Sequence, residues 1–275
     1  MRITTLLENH TNKKHPALQA EHGLSFYIEN RGYVVMSDVG QSGKFAENAG
    51  ALGVDLTRVE ALAISHHHYD HGGGLGRFFI ENKAAKVYLR FSPDDANYIA
   101  DVPSQPIRYI GLDRGLLRKN TDRIVTLTEN NEVLPGFHLI TGIPNEFPKP
   151  SGDQRLKVQQ GEKKQVDTFE HEMVTVLEGE EGLVVLTGCA HNGVLNMIAA
   201  TQAALPDKPI LAVVGGFHLH HESVNDIRMV GEALLASDIP VVYTGHCTGD
   251  NAMDVLAEVL GERLKRLYTG LVMTF

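Results

Sequence analysis

Short apolar runs recur along the chain, and stretches of helical periodicity separate them. Residues 24–30 and 32–40 have strand character and meet at Asn30-Arg31-Gly32, which predicts a hairpin. A helix is expected at 44–52, and the apolar run 61–65 is a strand that leads directly into a row of histidines. Further strands are predicted at 86–90, 134–143, 173–179 and 183–189, the last two joined by a Glu180-Glu181-Gly182 turn. The final third alternates helix 193–204, strand 210–216, helix 223–236, strand 241–245 and helix 251–262. Such alternation predicts a layered α/β fold.

Two stretches break this rhythm. Residues 92–120 contain Pro93, Pro103 and Pro106 among charges, and 142–168 contain Pro144, Pro148 and Pro150 before a polar run. Both read as irregular segments near a pocket mouth, the second as a mobile surface loop or a lid. There is also an internal echo. Gly32 to Gly40 (GYVVMSDVG) resembles Gly182 to Ala190 (GLVVLTGCA), as if two halves contributed one similar strand each to a shared site.

Composition narrows the picture. A chain of 275 residues that is 43% apolar can fill a real core, and residues 1–275 are read as one domain. The net charge of −9, with no block of Lys or Arg, argues against nucleic acid or an anionic membrane as the main partner. No run of eighteen apolar residues and no amino-terminal apolar core occurs, so a cytoplasmic location is expected. Cys189 and Cys247 are too few for a disulfide framework and do not form a CxxC pair. Of fourteen histidines, half crowd into two clusters: His66, His67, His68 and His71, then His218, His220 and His221.

The first cluster, Ser65 to Gly74 (SHHHYDHGGG), stands at the carboxyl end of a predicted strand. Residues two apart in extended chain point the same way, so His66 and His68 can converge on one ion while His67 faces away. After a turn, Asp70 and His71 can reach a second. Imidazole and carboxylate suit borderline divalent metals, and the glycines permit close backbone approach. Three more apolar runs end beside glycine and histidine: Thr187 to Gly193 with Cys189 and His191, Gly215 to Leu219 with His218, and Thr244 to Gly249 with His246. Strand ends of this kind gather in one crevice of an open α/β sheet.

The pattern His66-x-His68-x-Asp70-His71, together with Asp38-Val39-Gly40, resembles the signature of the metallo-β-lactamase superfamily. Glu21 to Ser25 and the three later glycine-histidine runs are similar to a subgroup labelled after a dihydropterin (β-ribofuranosyl)aminobenzene 5′-phosphate synthase of methanopterin biosynthesis. The resemblance implies a four-layer αββα sandwich and two divalent ions, zinc foremost with Mn or Fe as alternatives. It assigns His66 and His68 to the first metal, and Asp70, His71 and His246 to the second. His191 is preferred for the remaining first-metal ligand because it follows a strand end beside glycine. His171 and Glu172 are the alternatives, since the spacing of the common pattern points to His171. Cys189 stands where the pattern has an aspartate, as a bridging thiolate or a small buried residue, and Cys247 is read as packing. Asp38 is expected to orient a ligand histidine, with His22 and Asn9 joining it.

A two-metal site lowers the pKa of bound water to about 7 and clamps a developing oxyanion. The expected function is therefore a hydrolase acting through metal-activated hydroxide on a phosphate-containing small molecule, phosphodiesterase-like. Asp70 would orient the nucleophile. His218 would serve the leaving group or a phosphate oxygen, or else be a hydrogen-bonded loop histidine, while His220 and His221 are expected at the surface at the start of a helix. The alternatives are a pterin-type synthase that releases diphosphate, an iron-dependent redox enzyme, and a metal-binding sensor without turnover.

Overall fold

A computed structural model describes residues 1–12 and 15–275. In chain order the first part holds β1 (Arg2–Leu7), β2 (Ser25–Asn30), β3 (Tyr33–Ser37), α1 (Lys44–Leu52), β4 (Ala61–Ile64), α2 (Tyr69–Gly72), α3 (Leu75–Glu81) and β5 (Lys86–Arg90). Next come β6 (Asn97–Ala100), β7 (Arg108–Tyr109), α4 (Arg114–Lys119), β8 (Ile124–Leu127), β9 (Asn131–Leu134) and β10 (Phe137–Ile140). β11 (Leu156–Gln160), β12 (Lys163–Val166), β13 (Val174–Glu178), β14 (Leu183–Leu186), α5 (Val194–Ala204) and β15 (Ile210–Gly216) follow. The chain closes with α6 (Val224–Ala236), β16 (Val241–Gly245), α7 (Asp250–Leu260), β17 (Leu264–Arg266) and β18 (Val272–Thr274).

The strands build two seven-stranded sheets, in the orders β18-β1-β2-β3-β4-β5-β8 and β17-β16-β15-β14-β13-β10-β9. Alternation within each central strand sorts its side chains to two faces. In β4, Leu62 and Ile64 pack with Phe45 and Phe78 of the flanking helices, whereas Ala61 and Ala63 face a second cluster. In β14, Leu183 and Val185 pack toward α5, α6 and α7, and Val184 and Leu186 join that same second cluster. Three cores therefore separate four layers, helices outside and the two sheets face to face within. This is the expected α/β four-layer sandwich.

Local signals act where they should. The β2–β3 hairpin turns through Arg31 and Gly32, both at positive φ (52° and 86°), the type I′ geometry that matches strand twist. Ser223 caps α6 by accepting from the Asp226 amide, a contact worth about 1 kcal/mol. The run 134–143 is not one strand. Pro135 and Gly136 (φ 78°) turn it into the β9–β10 hairpin. The amino-terminal strand β1 carried no expectation, because its Ile-Thr-Thr-Leu-Leu run does not alternate cleanly.

The two segments expected to be irregular contribute instead a third, antiparallel sheet, β12-β11-β6-β7. Its short strands are polar on the outer face and cover little, so apolar periodicity could not reveal them. Ala96, Tyr98, Ala100 and Ile110 form a small core of their own against Tyr69, Leu156 and Val158. Tyr69 donates its amide to the Ile110 carbonyl, which fixes this sheet over the histidine loop. Among the described residues, no helix is long and apolar enough to cross a membrane.

Candidate metal centre

β3 and β14 are each the fourth of seven strands. Each pairs antiparallel with the strand before it in the chain and parallel with the one after. These are the points where sheet direction switches, and the ends of the parallel strands open there into a crevice. The nonamer echo thus marks equivalent positions in the two sheets. Asp38, Ala190, His218 and His246, which follow β3, β14, β15 and β16, all adopt left-handed φ values between 51° and 60°. A non-glycine residue held there costs on the order of 1 kcal/mol or more, which packing must offset, and such strain gathers at functional sites. Gly188 permits the two sheets to meet: a Cβ at this position would stand 2.1 Å from Ser65 Oγ.

His66, His68 and His191 form one group, with ring centroids 4.6 to 5.1 Å apart. The Nε2 atom of each is buried and has no hydrogen-bond partner. Their orientation is set from behind. Ser65 donates its hydroxyl to Asp38 (2.8 Å), so its oxygen is left to accept from His66 Nδ1 (2.9 Å). His191 Nδ1 donates to Asp153 at 2.8 Å. These bonds put the proton on Nδ1 and leave the Nε2 lone pair free, the arrangement a ligand histidine needs.

Asp70, His71, Cys189 and His246 form a second group, buried, with the candidate ligand atoms within 4.8 Å of one another. His71 Nε2 lies 3.1 Å from Cys189 Sγ and 3.7 Å from Asp70 Oδ2, while His246 Nε2 lies 3.4 Å from each of those atoms. A tetrahedral site with bonds of about 2.0–2.3 Å has edges of about 3.3–3.8 Å, so these four atoms form a cage of nearly that size. His71 Nδ1 donates to Asp38 (2.7 Å) and His246 Nδ1 to Asn9 (2.9 Å), which again frees Nε2. His22 Nε2 meets Asp70 at 3.2 Å. Cys189 also falls within 4.8 Å of the ligand atoms of His66 and His191, and so lies between the two groups.

The alternatives to His191 are engaged elsewhere. His171 accepts the His67 amide at Nδ1 (3.1 Å) and meets Asp167 through Nε2 (3.0 Å), leaving neither nitrogen free. Glu172 accepts three hydrogen bonds of 2.8–2.9 Å from the His191 and Asn192 amides and the Asn192 side chain, holding the loop that presents His191. His67 points away, its Nε2 on the Arg90 carbonyl. Cys247 packs behind the site, its sulfur accepting the His218 amide at 3.3 Å.

Burial dominates the electrostatics. It lowers His66, His191 and His218 well below the ordinary imidazole range, helped by the neighbouring imidazoles, and brings His68 and His246 to about 4. Burial also opposes charge on His71 and Asp70, but their mutual attraction outweighs it, with Asp38 beside His71 and with His22 and His246 beside Asp70. His71 is held up and Asp70 well down. The Cys189 thiol is pushed well up by burial and by Cys247. Mostly neutral imidazoles around an ionised carboxylate are a donor set ready for cations.

One residue at the centre went unnoticed in the sequence. Asp153 Oδ1 meets both His191 Nδ1 (2.8 Å) and His218 Nε2 (3.1 Å), and burial, then Glu172 and Asp167, raise its pKa to about 9. It sits in a one-turn 3₁₀ helix at 151–155, within the proline-bearing stretch, and nothing in its neighbours marks it. Glu222 accepts from the Ser151 amide and hydroxyl and the Gly152 amide, which pins that turn. His220 and His221 are exposed as expected but precede the helix and rim a cavity of about 210 Å³ above the centre.

A model of the metallo-beta-lactamase superfamily matches residues 18–246. The chain belongs to this superfamily. It is 25% identical over 288 residues to the 7,8-dihydropterin-6-methyl-4-(beta-D-ribofuranosyl)-aminobenzene-5'-phosphate synthase of Methanocaldococcus jannaschii, covering 100% of this chain and 97% of that protein. An uncharacterized protein of the same organism is 26% identical over 263 residues, 94% of each chain. The crystal structure of a metal-dependent hydrolase of the beta-lactamase superfamily is similar with a TM-score of 0.84 and 29% identity, covering 100% of this chain and 99% of that one. Zn(2+)-bound PqqB from Methylobacterium extorquens, with a TM-score of 0.56 and 12% identity over the full length of both chains, shares the superfamily fold alone.

Proposed function

We propose that this chain is a metal-dependent hydrolase with two divalent ions, zinc foremost, acting on a phosphate-containing small molecule. The observation that carries this reading is the set of three buried, unpartnered Nε2 atoms of His66, His68 and His191 beside the four-atom cage of Asp70, His71, Cys189 and His246. Buried polar atoms left unsatisfied each cost about 1–3 kcal/mol, a cost that bound cations would remove. His66, His68 and His191 would hold one ion, Asp70, His71 and His246 the other, with the Cys189 thiolate between them. Such a pair activates water and stabilises negative charge growing on a substrate oxygen.

The chain's own residues then have separate tasks. Asp70 stays ionised and, with His22 and His246 against Oδ2, is fixed to orient a water nucleophile. His218 lines the cavity with Nδ1 unpartnered and Nε2 on Asp153, whose carboxyl burial keeps protonated. Donation from Asp153 to Nε2 puts the neutral ring's proton on Nδ1, a placement suited to delivering it to a leaving oxygen while Asp153 resupplies Nε2. Similarity to the synthase over nearly its whole length supports a second reading, transfer with loss of diphosphate from the same cavity.

The test is metal analysis of the purified chain followed by phosphodiester, phosphomonoester, lactam and thioester substrates. Two equivalents of metal and turnover of the phosphodiester are expected. A chain that takes up no ion loses both readings, and diphosphate release without ester hydrolysis favours the second.

A further inference from the structure

The cavity above the centre has a rim of a different character from the rest of the molecule. Although the chain carries a net charge of −9, Asp70 is the lone carboxylate among the described residues that line this cavity. Arg108 and Arg155 line it together with His22, His220 and His221. Most arginines elsewhere have a visible task. Arg2, Arg31, Arg58, Arg77, Arg228 and Arg266 each meet a carboxylate. Among the described residues the Arg155 side chain makes only a long bond from Nε to the Gly152 carbonyl (3.5 Å), and neither Arg155 nor Arg108 forms an ion pair.

Arg108 stands in β7 of the third sheet, and Arg155 ends the 151–155 turn immediately before β11. Ala100 of β6 pairs with Arg108 on one side and with Leu156, the residue after Arg155, on the other. Neighbouring strands lie about 4.8 Å apart, so Arg108 and Leu156, the residue after Arg155, stand about 10 Å apart across a strip centred on Ala100. Ala100, Val102, Ile110 and Leu156 give that strip an apolar surface. The candidate ligands lining the same cavity are all buried, whereas Arg155 is half-buried and Arg108 exposed. A guanidinium group recognises phosphate through two parallel N–H···O bonds.

We infer that Arg108 and Arg155 form a second anion site, which holds a terminal phosphate of the substrate while a different bond reacts at the metal centre. The substrate class is then an organic phosphate monoester with an apolar body, long enough to span from the strip to the histidines, whose phosphate is a handle and is not cleaved. Only the statement that another bond reacts rests on the hydrolase reading; the anion site itself needs no metal.

The test begins with the full-length chain stripped of metal by a chelator, titrated calorimetrically with phenylphosphonate, phenylacetate and phenol. Phenylphosphonate is expected to bind, phenylacetate more weakly and phenol not at all. Arg155→Ala and Arg108→Ala should each weaken phenylphosphonate about tenfold, and Arg155→Lys less, with unchanged melting temperatures because both side chains reach solvent. Binding of phenylphosphonate that the double alanine variant leaves intact, or phenol binding as tightly, overturns the site. In the metal-loaded chain, the arginine variants should raise KM for an ester carrying a remote phosphate and leave KM for its dephosphorylated analogue unchanged. Arginine-dependent binding without any turnover would sink the hydrolase reading and keep the anion site; turnover indifferent to both arginines would do the reverse.

Discussion

A histidine can hold a cation only through a nitrogen that nothing else occupies, and this separates His191 from His171. His191 presents an unpartnered Nε2 toward His66 and His68, whereas both nitrogens of His171 are bonded. His191→Ala is therefore expected to lose about one equivalent of metal and at least a hundredfold in turnover, with His68→Ala alike. His171→Ala should keep its metal and lose stability instead, about 1–3 kcal/mol from the orphaned Asp167. Metal content and urea unfolding of the two variants decide it, and a metal-depleted His171→Ala would reverse the assignment. Cys189 invites a spectroscopic check. With cobalt in the site, a thiolate ligand gives a near-ultraviolet charge-transfer band, which Cys189→Ser should abolish while His246→Ala leaves it present. The spacing of the His66 to His71 run showed these ligand types, but no spacing could show that Asp153 lies behind His191 and His218, because 38 and 65 residues separate them in the chain.

The elements place these side chains through a few fixed joints. Glu222 fastens the 151–155 turn by three hydrogen bonds, so Glu222→Ala should free Asp153 and misorient both His191 and His218. Metal affinity is expected to fall about tenfold with little loss of fold stability, measured by competition with a chromophoric chelator. A second joint ties the sheets together. Glu178 at the end of β13 meets Lys208 (2.6 Å), Arg31 of the β2–β3 turn (2.8 Å) and His138 (3.1 Å). Lys208 first, then His138 and Arg31, holds its carboxyl below the usual range despite partial burial. A depressed carboxylate stabilises the fold above its unfolded pKa of about 4.3, and that contribution fades as pH drops through the folded value. Glu178→Gln should thus melt earlier at pH 7, by about 1 kcal/mol, and the gap to the unsubstituted chain should close below about pH 4. An equal gap at both pH values would refute the pairing.

At the scale of the molecule, two seven-stranded sheets with matching switch points press together around buried polar groups that lack partners. Cations that bind only the folded chain stabilise it by about 4 kcal/mol at a thousandfold excess over Kd, so zinc should raise the melting temperature by several degrees and a chelator should lower it again. A melting curve indifferent to both would speak against the centre. The sequence by itself determined the layered α/β class, the strand ends and the histidine-rich loop, because strand alternation and ligand spacing are local patterns. The faint echo of 32–40 in 182–190 was legible for the same reason: each end of a switch-point strand obeys the same backbone demands. Tertiary structure alone decided that 92–120 and 142–168 become a third sheet. It also decided which of His191, His171 and Glu172 faces His66, and that two arginines overlook the cavity. Those facts depend on pairing across long separations, where each short polar strand or lone charge gains its meaning from a neighbour that periodicity cannot supply.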